Sequence, residues 1–156
     1  MSSQVTLELP TPQATTALGH TLAARLFPGA VLALIGQLGA GKTHLTAALA
    51  EGLGIAHGVT SPTFVLQQEY HGRLIVHHFD VYRLPSSQSF ADLGVHEYLE
   101  GEDVCIIEWA DRVQDQLPAD RLEILLETTG ETSRRATLTA TGPRHQILLT
   151  PLCLPT

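Results

Sequence analysis

Nine consecutive residues, IGQLGAGKT at positions 35–43, have the types and the spacing of a phosphate-binding loop. Its three glycines can adopt backbone angles closed to other residues, so successive amide N–H groups can turn toward one phosphate. Lys42 adds a positive charge for the β- and γ-phosphates, and the hydroxyl of Thr43 can ligate Mg²⁺ where the next helix begins. The pattern predicts a Walker A motif that binds magnesium and a nucleoside triphosphate.

The residues on either side of this loop fit a strand, a loop and a helix in succession. Positions 30–35 form an apolar run suited to a buried strand, and apolar residues recur at helical spacing over 42–53. Lys42 is the single lysine among nine Lys and Arg residues, at a position where a compact ammonium group fits and a planar guanidinium does not. A simple glycine-rich link therefore explains the pattern poorly. The residues predicted to hold the phosphates are Gly36, Leu38, Gly39, Ala40, Gly41, Lys42, Thr43 and His44.

Two carboxylates follow strands that the sequence predicts further along the chain. Asp80 ends the second strand of a predicted hairpin, 74–80, and Glu108 follows the apolar strand 104–107 in a pattern like a Walker B motif. In open α/β sheets ligands bind beyond the carboxyl ends of the strands, where a Walker A loop also lies. Because Mg²⁺ takes oxygen ligands and borrows one or two carboxylates from the protein, we expect Asp80 and Glu108 beside Thr43 as magnesium ligands.

Three residues near these acids have more than one interpretation. His77 and His78 could suggest a zinc site, but adjacent residues on a strand face opposite ways and do not easily share an ion. We therefore predict that one histidine packs in the core and that the other lies near the site. Trp109, the single tryptophan, either covers the edge of the sheet or stacks on a partner and gates the site. Its spacing does not choose between these roles.

The rest of the pattern predicts an α/β fold with a mixed central sheet. Apolar and polar residues alternate over 5–9 as in a strand, and Thr11 and Pro12 suit the N-cap and the first residue of a helix. A hairpin of 64–70 with 74–80 reverses one strand of the sheet. The remaining predicted elements are a helix at 92–100 and a closing hairpin of 122–126 with 136–138.

Length and composition indicate one globular domain that does not cross a membrane. The chain has 156 residues and a net charge of -7, which argues against broad contact with nucleic-acid phosphates. It shows neither a signal peptide nor an apolar run of roughly 20 residues, and Cys105 and Cys153 suit free thiols in the cytoplasm. The proline-containing end is expected to be peripheral, so we predict a P-loop domain over 1–142 and a tail over 143–156.

Four short motifs in this order resemble the TsaE (YjeE) family of small bacterial P-loop ATPases. They are GQLGAGKT at 36–43, TSPTF at 60–64, HFDVYRL at 78–84, and Glu108-Trp109 followed by Arg112. The similarity runs from about residue 5 to about residue 140. Two positions depart from the pattern of the family, because Gln37 replaces the usual acid and His44 replaces the usual threonine. These differences affect the electrostatics of the loop.

The resemblance implies a P-loop NTPase-like fold of three layers and ATP hydrolysis with Mg²⁺. It implies that Asp80 and Glu108 handle the magnesium ion and the attacking water, that Lys42 and Thr43 hold phosphates and magnesium, and that 61–64 is a switch-like loop. We expect hydrolysis by the chain alone to be slow and a partner to complete the site, because the sequence shows no obvious arginine finger, although Arg83 and Arg112 are candidates.

The resemblance also implies a biological role and partners. Members of the family serve the tRNA modification that installs threonylcarbamoyladenosine beside the anticodon, and they act with a TsaB and TsaD pair. Because the sequence has no recognisable RNA-binding element and a negative net charge, we expect the tRNA to be reached through these proteins. We predict that hydrolysis resets their complex after a catalytic round.

Other functions remain open from the sequence. One is a nucleotide-sensing binding module whose hydrolysis is incidental. Another is a small-molecule kinase, which needs an acceptor pocket and usually an arginine-rich lid; the scattered arginines show no such lid. A GTPase is disfavoured, since the guanine-reading Asn-Lys-x-Asp element needs a second lysine.

Overall fold

A seven-stranded sheet forms the centre of the fold in a computed structural model that describes residues 3–55 and 67–149. The strands are β1 (Ser3–Leu9), β2 (Val31–Gly36), β3 (Gln67–His71), β4 (Ile75–Asp80), β5 (Val104–Glu108), β6 (Leu122–Thr128) and β7 (Arg134–Ala140). They lie in the order β1-β7-β6-β2-β5-β4-β3. β2 is parallel to β5 and β6, whereas β3 is antiparallel to β4 and β7 is antiparallel to β6 and β1. The predicted mixed sheet is confirmed, and the phosphate-loop strand lies at its centre.

Two helices, α1 (Pro12–Ala23) and α2 (Lys42–Gly52), pack on one face of the sheet. The hydroxyl of Thr11 accepts the N–H of Ala14 at 3.2 Å, which confirms the predicted N-cap of α1. The helices approach closely at Gly19, where a Cβ atom would lie 2.4 Å from the Cβ of Ala48. Both helices bury their apolar sides against Leu32 and neighbouring side chains of the sheet in the larger core cluster.

A smaller core covers the opposite face at β4, β5 and β2. The short helices α3 (Ser87–Ala91) and α4 (His96–Leu99) lie here, and Phe79, Phe90 and Ile107 are buried among them. The prediction of one helix over 92–100 is wrong, because Gly94 takes a φ of +76° and turns the chain between α3 and α4. Two short 3₁₀ turns, Ala110–Arg112 and Gln114–Gln116, follow β5. The sheet and its two covered faces give the three layers.

Residues 143–149 pack against the beginning of β2. His145 is fully buried; its Nδ1 lies 2.7 Å from Asp120 Oδ1, and its Nε2 accepts the N–H of Val31 at 3.0 Å. Leu148 is buried in the larger core cluster. This segment is therefore not peripheral, because a buried histidine attaches it to the central strand. Residues 150–156 lie outside the described ranges, and the domain boundary at 142 stays a prediction.

Two further sequence expectations concern the thiols and the membrane. Cys105 is a buried free thiol, and burial followed by the charge of Asp103 raises its pKa to about 12, so it is a poor nucleophile. Cys153 lies outside the described residues. In the part of the chain that the structure describes, every helix is too short or too polar to cross a membrane.

Candidate nucleotide-binding site

The Walker A loop joins the end of β2 to the beginning of α2. Its three positions occupied by glycine need this residue for different physical reasons. Gly39 and Gly41 take φ angles of +82° and +102°, and beyond the adjacent residues no atom lies within 4 Å of a Cβ position on either residue. Their backbone angles require glycine there. At Gly36 the reason is space, since a Cβ would lie 2.6 Å from the carbonyl oxygen of Leu126.

The N-terminus of α2 presents backbone N–H groups toward this loop. Gly41 is its N-cap, and no side chain in the described ranges caps the helix. The N–H of Leu45 is bonded to Gly41 O at 2.9 Å, whereas the preceding N–H groups of α2 have no acceptor one helical turn earlier. In the loop before the helix, the N–H of Ala40 donates to Gln37 O at 3.0 Å. The uncapped N–H groups of the first turn of α2 and the helix dipole fit a phosphate group.

Lys42 is folded back over the first residues of the loop. Its Nζ donates to Gly36 O at 2.5 Å and to Gln37 O at 3.0 Å, and it lies 4.0 Å from the centroid of the Trp109 ring. Only 5% of Lys42 is exposed. The ammonium group therefore sits between the loop carbonyls and an aromatic face, a cation–π arrangement.

The surroundings of Lys42 are acidic. Burial lowers the pKa of Lys42, and the negative charges of Glu108, Asp80 and Asp111 partly oppose this shift. Three carboxylates thus act on one ammonium group. With three carboxylates around one ammonium group, the site would repel a nucleotide without a cation. It fits a nucleotide that binds together with a divalent cation better.

Thr43 and Glu108 meet at the mouth of this site. The hydroxyl of Thr43 donates to Glu108 Oε1 at 3.2 Å and lies 3.5 Å from Oε2. Glu108 is only 2% exposed. A hydroxyl and a carboxylate this close are the kinds of oxygen ligand that Mg²⁺ prefers, so these two residues fit the ion that the fold implies.

Asp80 lies at the same edge of the sheet. It is paired in register with Glu108 across β4 and β5, and its Oδ1 accepts the N–H of Tyr82 at 3.0 Å. The predicted pair of acids is thus brought together. The assignment of Asp80 as a ligand stays a prediction.

Leu38 and His44, also predicted to hold phosphates, point their side chains elsewhere. Leu38 is 86% exposed at the tip of the loop, and His44 Nε2 lies 2.9 Å from the hydroxyl of Thr16 on α1. Their contribution to a phosphate site is therefore limited to their backbone groups. The predicted switch-like loop at 61–64 lies outside the described residues.

The two adjacent histidines face opposite sides of β4. His78 Nε2 lies 2.6 Å from Glu108 Oε2, and His77 Nε2 lies 2.8 Å from Asp103 Oδ2. Both histidines are buried. One therefore reaches the site and the other packs on the far face of the sheet, beside Tyr98.

Sequence reasoning missed a contact with the Walker A loop from the far end of the chain. Arg134, at the beginning of β7, donates from Nη2 to Gly39 O at 3.1 Å and from Nη1 to Ser133 O at 2.8 Å. Arg134 and Gly39 are 95 positions apart in the sequence, so no local motif indicates this contact. The guanidinium fixes one carbonyl in the part of the loop where Gly39 and Gly41 have few packing neighbours.

The fold and the site together define a class of protein. A glycine-rich loop between a central parallel strand and a helix, with an acid at the end of the neighbouring strand, is the arrangement of the P-loop NTPase-like α/β proteins. The crystal structure of Bacillus subtilis YdiB has the same fold, with a TM-score of 0.84 and 40% identity over 96% of this chain and 94% of that chain.

Sequence comparisons identify the family within this class. The family described as "Threonylcarbamoyl adenosine biosynthesis protein TsaE" matches residues 9–136. The "tRNA threonylcarbamoyladenosine biosynthesis protein TsaE" of Bacillus subtilis is 46% identical over 138 residues, covering 88% of this chain and 86% of that protein. The protein of the same description from Treponema pallidum is 45% identical over 124 residues, covering 79% and 92%. The chain belongs to the TsaE family, as its motifs indicated.

Proposed function

We propose that this protein binds ATP with Mg²⁺, hydrolyses it slowly, and serves tRNA threonylcarbamoyladenosine modification in the cytoplasm by resetting a complex of TsaB and TsaD proteins. The observation that carries the proposal is the hydrogen bond of Thr43 to Glu108 at the N-terminus of α2, where the charge of Glu108 also acts on the ammonium group of Lys42. The names of the relatives support the role in tRNA modification.

The chain supplies the groups that grip phosphates. The uncapped N–H groups of α2 offer donors fixed by the backbone. Lys42 has three donor hydrogens, of which the carbonyls of Gly36 and Gln37 engage two. The third is not used by these carbonyls, so a phosphate oxygen that replaces the face of Trp109 beside the ammonium group can accept it.

The oxygen atoms of Thr43 and Glu108 would hold the magnesium ion, with Asp80 beside them. When bound, Mg²⁺ neutralises charge on the β- and γ-phosphates. The buried carboxylate of Glu108 can also accept a hydrogen bond from the attacking water and so orient it. Positioning and charge neutralisation are most of what phosphoryl transfer needs from a protein.

Slow hydrolysis by the chain alone is supported by the contacts of two arginines near the site, Arg112 and Arg134, although Arg83, the other candidate for an arginine finger, is exposed. Arg112 donates to Tyr82 O at 3.0 Å and lies over the rings of Tyr82 and Trp109. Arg134 donates to backbone carbonyls of the loop and of its own strand. These guanidinium groups already have partners, which supports completion of the site by a partner protein.

The proposed role is tested by reconstitution of the modification reaction with TsaB, TsaD and tRNA. The wild type is compared with Glu108→Ala under single and multiple turnover, and Glu100→Ala serves as the control because Glu100 is exposed at the end of α4. We expect the Glu108 variant to bind its partners and support one round but few repeats. Many rounds at the wild-type rate would favour a nucleotide-sensing module, and turnover that depends on a small-molecule acceptor would favour a kinase.

A further inference from the structure

A buried chain of polar contacts runs from the candidate site to the edge of the sheet. Glu108 Oε2 lies 2.6 Å from His78 Nε2, and His78 Nδ1 lies 3.3 Å from the hydroxyl of Tyr70. Tyr70 in turn donates to Gln68 Oε1 on the same strand. With the Thr43 contact to Glu108, the chain connects α2, β5, β4 and β3.

We propose that His78 is a positioning residue, which fixes the Glu108 carboxylate toward Thr43 and thereby prepares it for the magnesium ion of a bound nucleotide. This inference rests on the proposed function. It assigns a role to a histidine that would not itself touch nucleotide or metal. The assignment is carried by geometry and burial on the two strands.

The two oxygens of Glu108 have separate partners. Oε2 contacts His78 most closely, and Oε1 accepts the shorter of the two contacts from Thr43. Burying a carboxylate is costly unless it is hydrogen-bonded, and Glu108 is 2% exposed while His78 is fully buried. Removing the imidazole would leave one oxygen without this partner and free the carboxylate to rotate away from Thr43.

The imidazole is itself held on its other side. Tyr70 is 8% exposed, and its ring centroid lies 5.9 Å from that of His78. The register of β3 and β4 places Gln68 opposite His78. The hydroxyl of Tyr70 therefore restrains the ring plane of His78, so Tyr70→Phe tests the same chain of contacts by removing a single oxygen atom.

His77 provides a matched control within the same strand. It is 2% exposed and forms its own pair with Asp103 at 2.8 Å, with Gln67 Nε2 3.1 Å from its Nδ1. Because successive residues of a strand face opposite ways, its pair lies on the far face from Thr43. Loss of either histidine removes a buried pair, but only the loss of His78 disturbs the candidate site.

The experiment measures binding of a fluorescent ATP analogue with increasing Mg²⁺ and in EDTA, together with thermal stability. For His78→Ala we expect the Mg²⁺ concentration at half-saturation to rise about 10- to 100-fold, the range seen when partners of metal ligands are removed, with little change in EDTA. His78→Gln, which keeps an N–H donor, should show a smaller shift, and Tyr70→Phe a shift of a few-fold. His77→Ala should lose thermal stability without a change in Mg²⁺ dependence.

Several results would overturn the inference. Folded His78 variants with the wild-type Mg²⁺ dependence would do so, as would equal shifts in His77→Ala. If the His78 variants do not fold, an unchanged Mg²⁺ dependence in Tyr70→Phe overturns it. A wild type that binds no nucleotide under either condition contradicts the proposed function itself, and so distinguishes that failure from a failure of the positioning role.

Discussion

The ammonium group of Lys42 lies 4.0 Å from the centroid of the Trp109 ring. Among the described residues, Trp109 is the one non-glycine residue with a positive φ, at 62°, a conformation that costs of order 1–3 kcal/mol. Its ring also lies 4.7 Å from that of Tyr82. Trp109 thus covers the lysine of the Walker A loop. The sequence alone did not decide between a packing role and a gating role for Trp109.

We predict that ATP with Mg²⁺ changes the fluorescence of Trp109, because a phosphate competes with the indole for the third hydrogen of Lys42. Trp109 is the single tryptophan, so tryptophan fluorescence reports on the surroundings of this ring. The measurement is a titration of the wild type, with Lys42→Ala as the control. Independent evidence of binding without a fluorescence change would contradict the contact.

The two acids should affect hydrolysis more than binding. Glu108→Ala and Asp80→Ala are expected to lower kcat about 100-fold or more, the scale of losing one fixed electrostatic group, while the N–H groups of α2 still bind phosphates. Lys42→Ala should weaken both hydrolysis and binding. Steady-state kinetics and calorimetry separate the two effects. Normal hydrolysis by Asp80→Ala would mean that Asp80 is only an acid at the end of a strand.

Arg134 should support nucleotide binding through the shape of the Walker A loop. Arg134→Ala removes the bond to Gly39 O, and a loss of about 1.5 kcal/mol for a charged donor corresponds to roughly tenfold weaker binding. Arg135→Ala is the matched control, because Arg135 is exposed and its Nε donates to Glu8 at 2.8 Å. Equal nucleotide affinities of the two variants by calorimetry would show that Arg134 does not act on the loop.

The His145 cluster should make stability depend on pH. Nε2 of His145 accepts the N–H of Val31, so the ring is neutral, with its proton on Nδ1 toward Asp120. Burial lowers the pKa of His145 below its usual value of 6.5. Burial raises the pKa of Asp120, but hydrogen bonds from Arg144 N–H and His145 outweigh this effect and lower the pKa overall.

The lowered pKa values of His145 and Asp120 both make the folded protein less stable as the pH falls. The unfolded chain takes up protons at a higher pH than the folded protein, so the contribution of His145 is complete above about pH 6.5 and is lost as the pH falls below it. Asp120 adds a further loss at lower pH. Between about pH 7.5 and about pH 5.5 the Tm of the wild type should fall more steeply than that of His145→Gln. His96→Gln, which changes an exposed histidine, should follow the wild type; parallel curves for all three would contradict the prediction.

The sequence predicted the parts of the fold that local patterns encode. The Walker A loop, the strands that end in Asp80 and Glu108, and the N-cap at Thr11 each follow from a motif or a period within a few residues. The single helix expected over 92–100 failed because the backbone preference of Gly94 outweighed the apolar spacing around it.

The missed features depend on contacts between distant positions. The contact of Asp120 with His145 joins the residues before β6 to the segment 143–149. Arg134 on β7 contacts the Walker A loop, which lies on the other side of β6. Alternation along a strand predicted that one of His77 and His78 lies near the site, but only the register of β4 and β5 shows that His78 contacts Glu108. No pattern within one segment contains this information.

The central claim is magnesium-dependent hydrolysis of ATP at the loop that contains Lys42. Its most direct test is phosphate release from ATP and from GTP by the purified protein, without any acceptor, with Mg²⁺ or with EDTA, and with Lys42→Ala as the control. We predict slow release from ATP that needs Mg²⁺, exceeds release from GTP and disappears in the variant. Equal release by the wild type and Lys42→Ala, or release only when a phosphate acceptor is added, would contradict the claim.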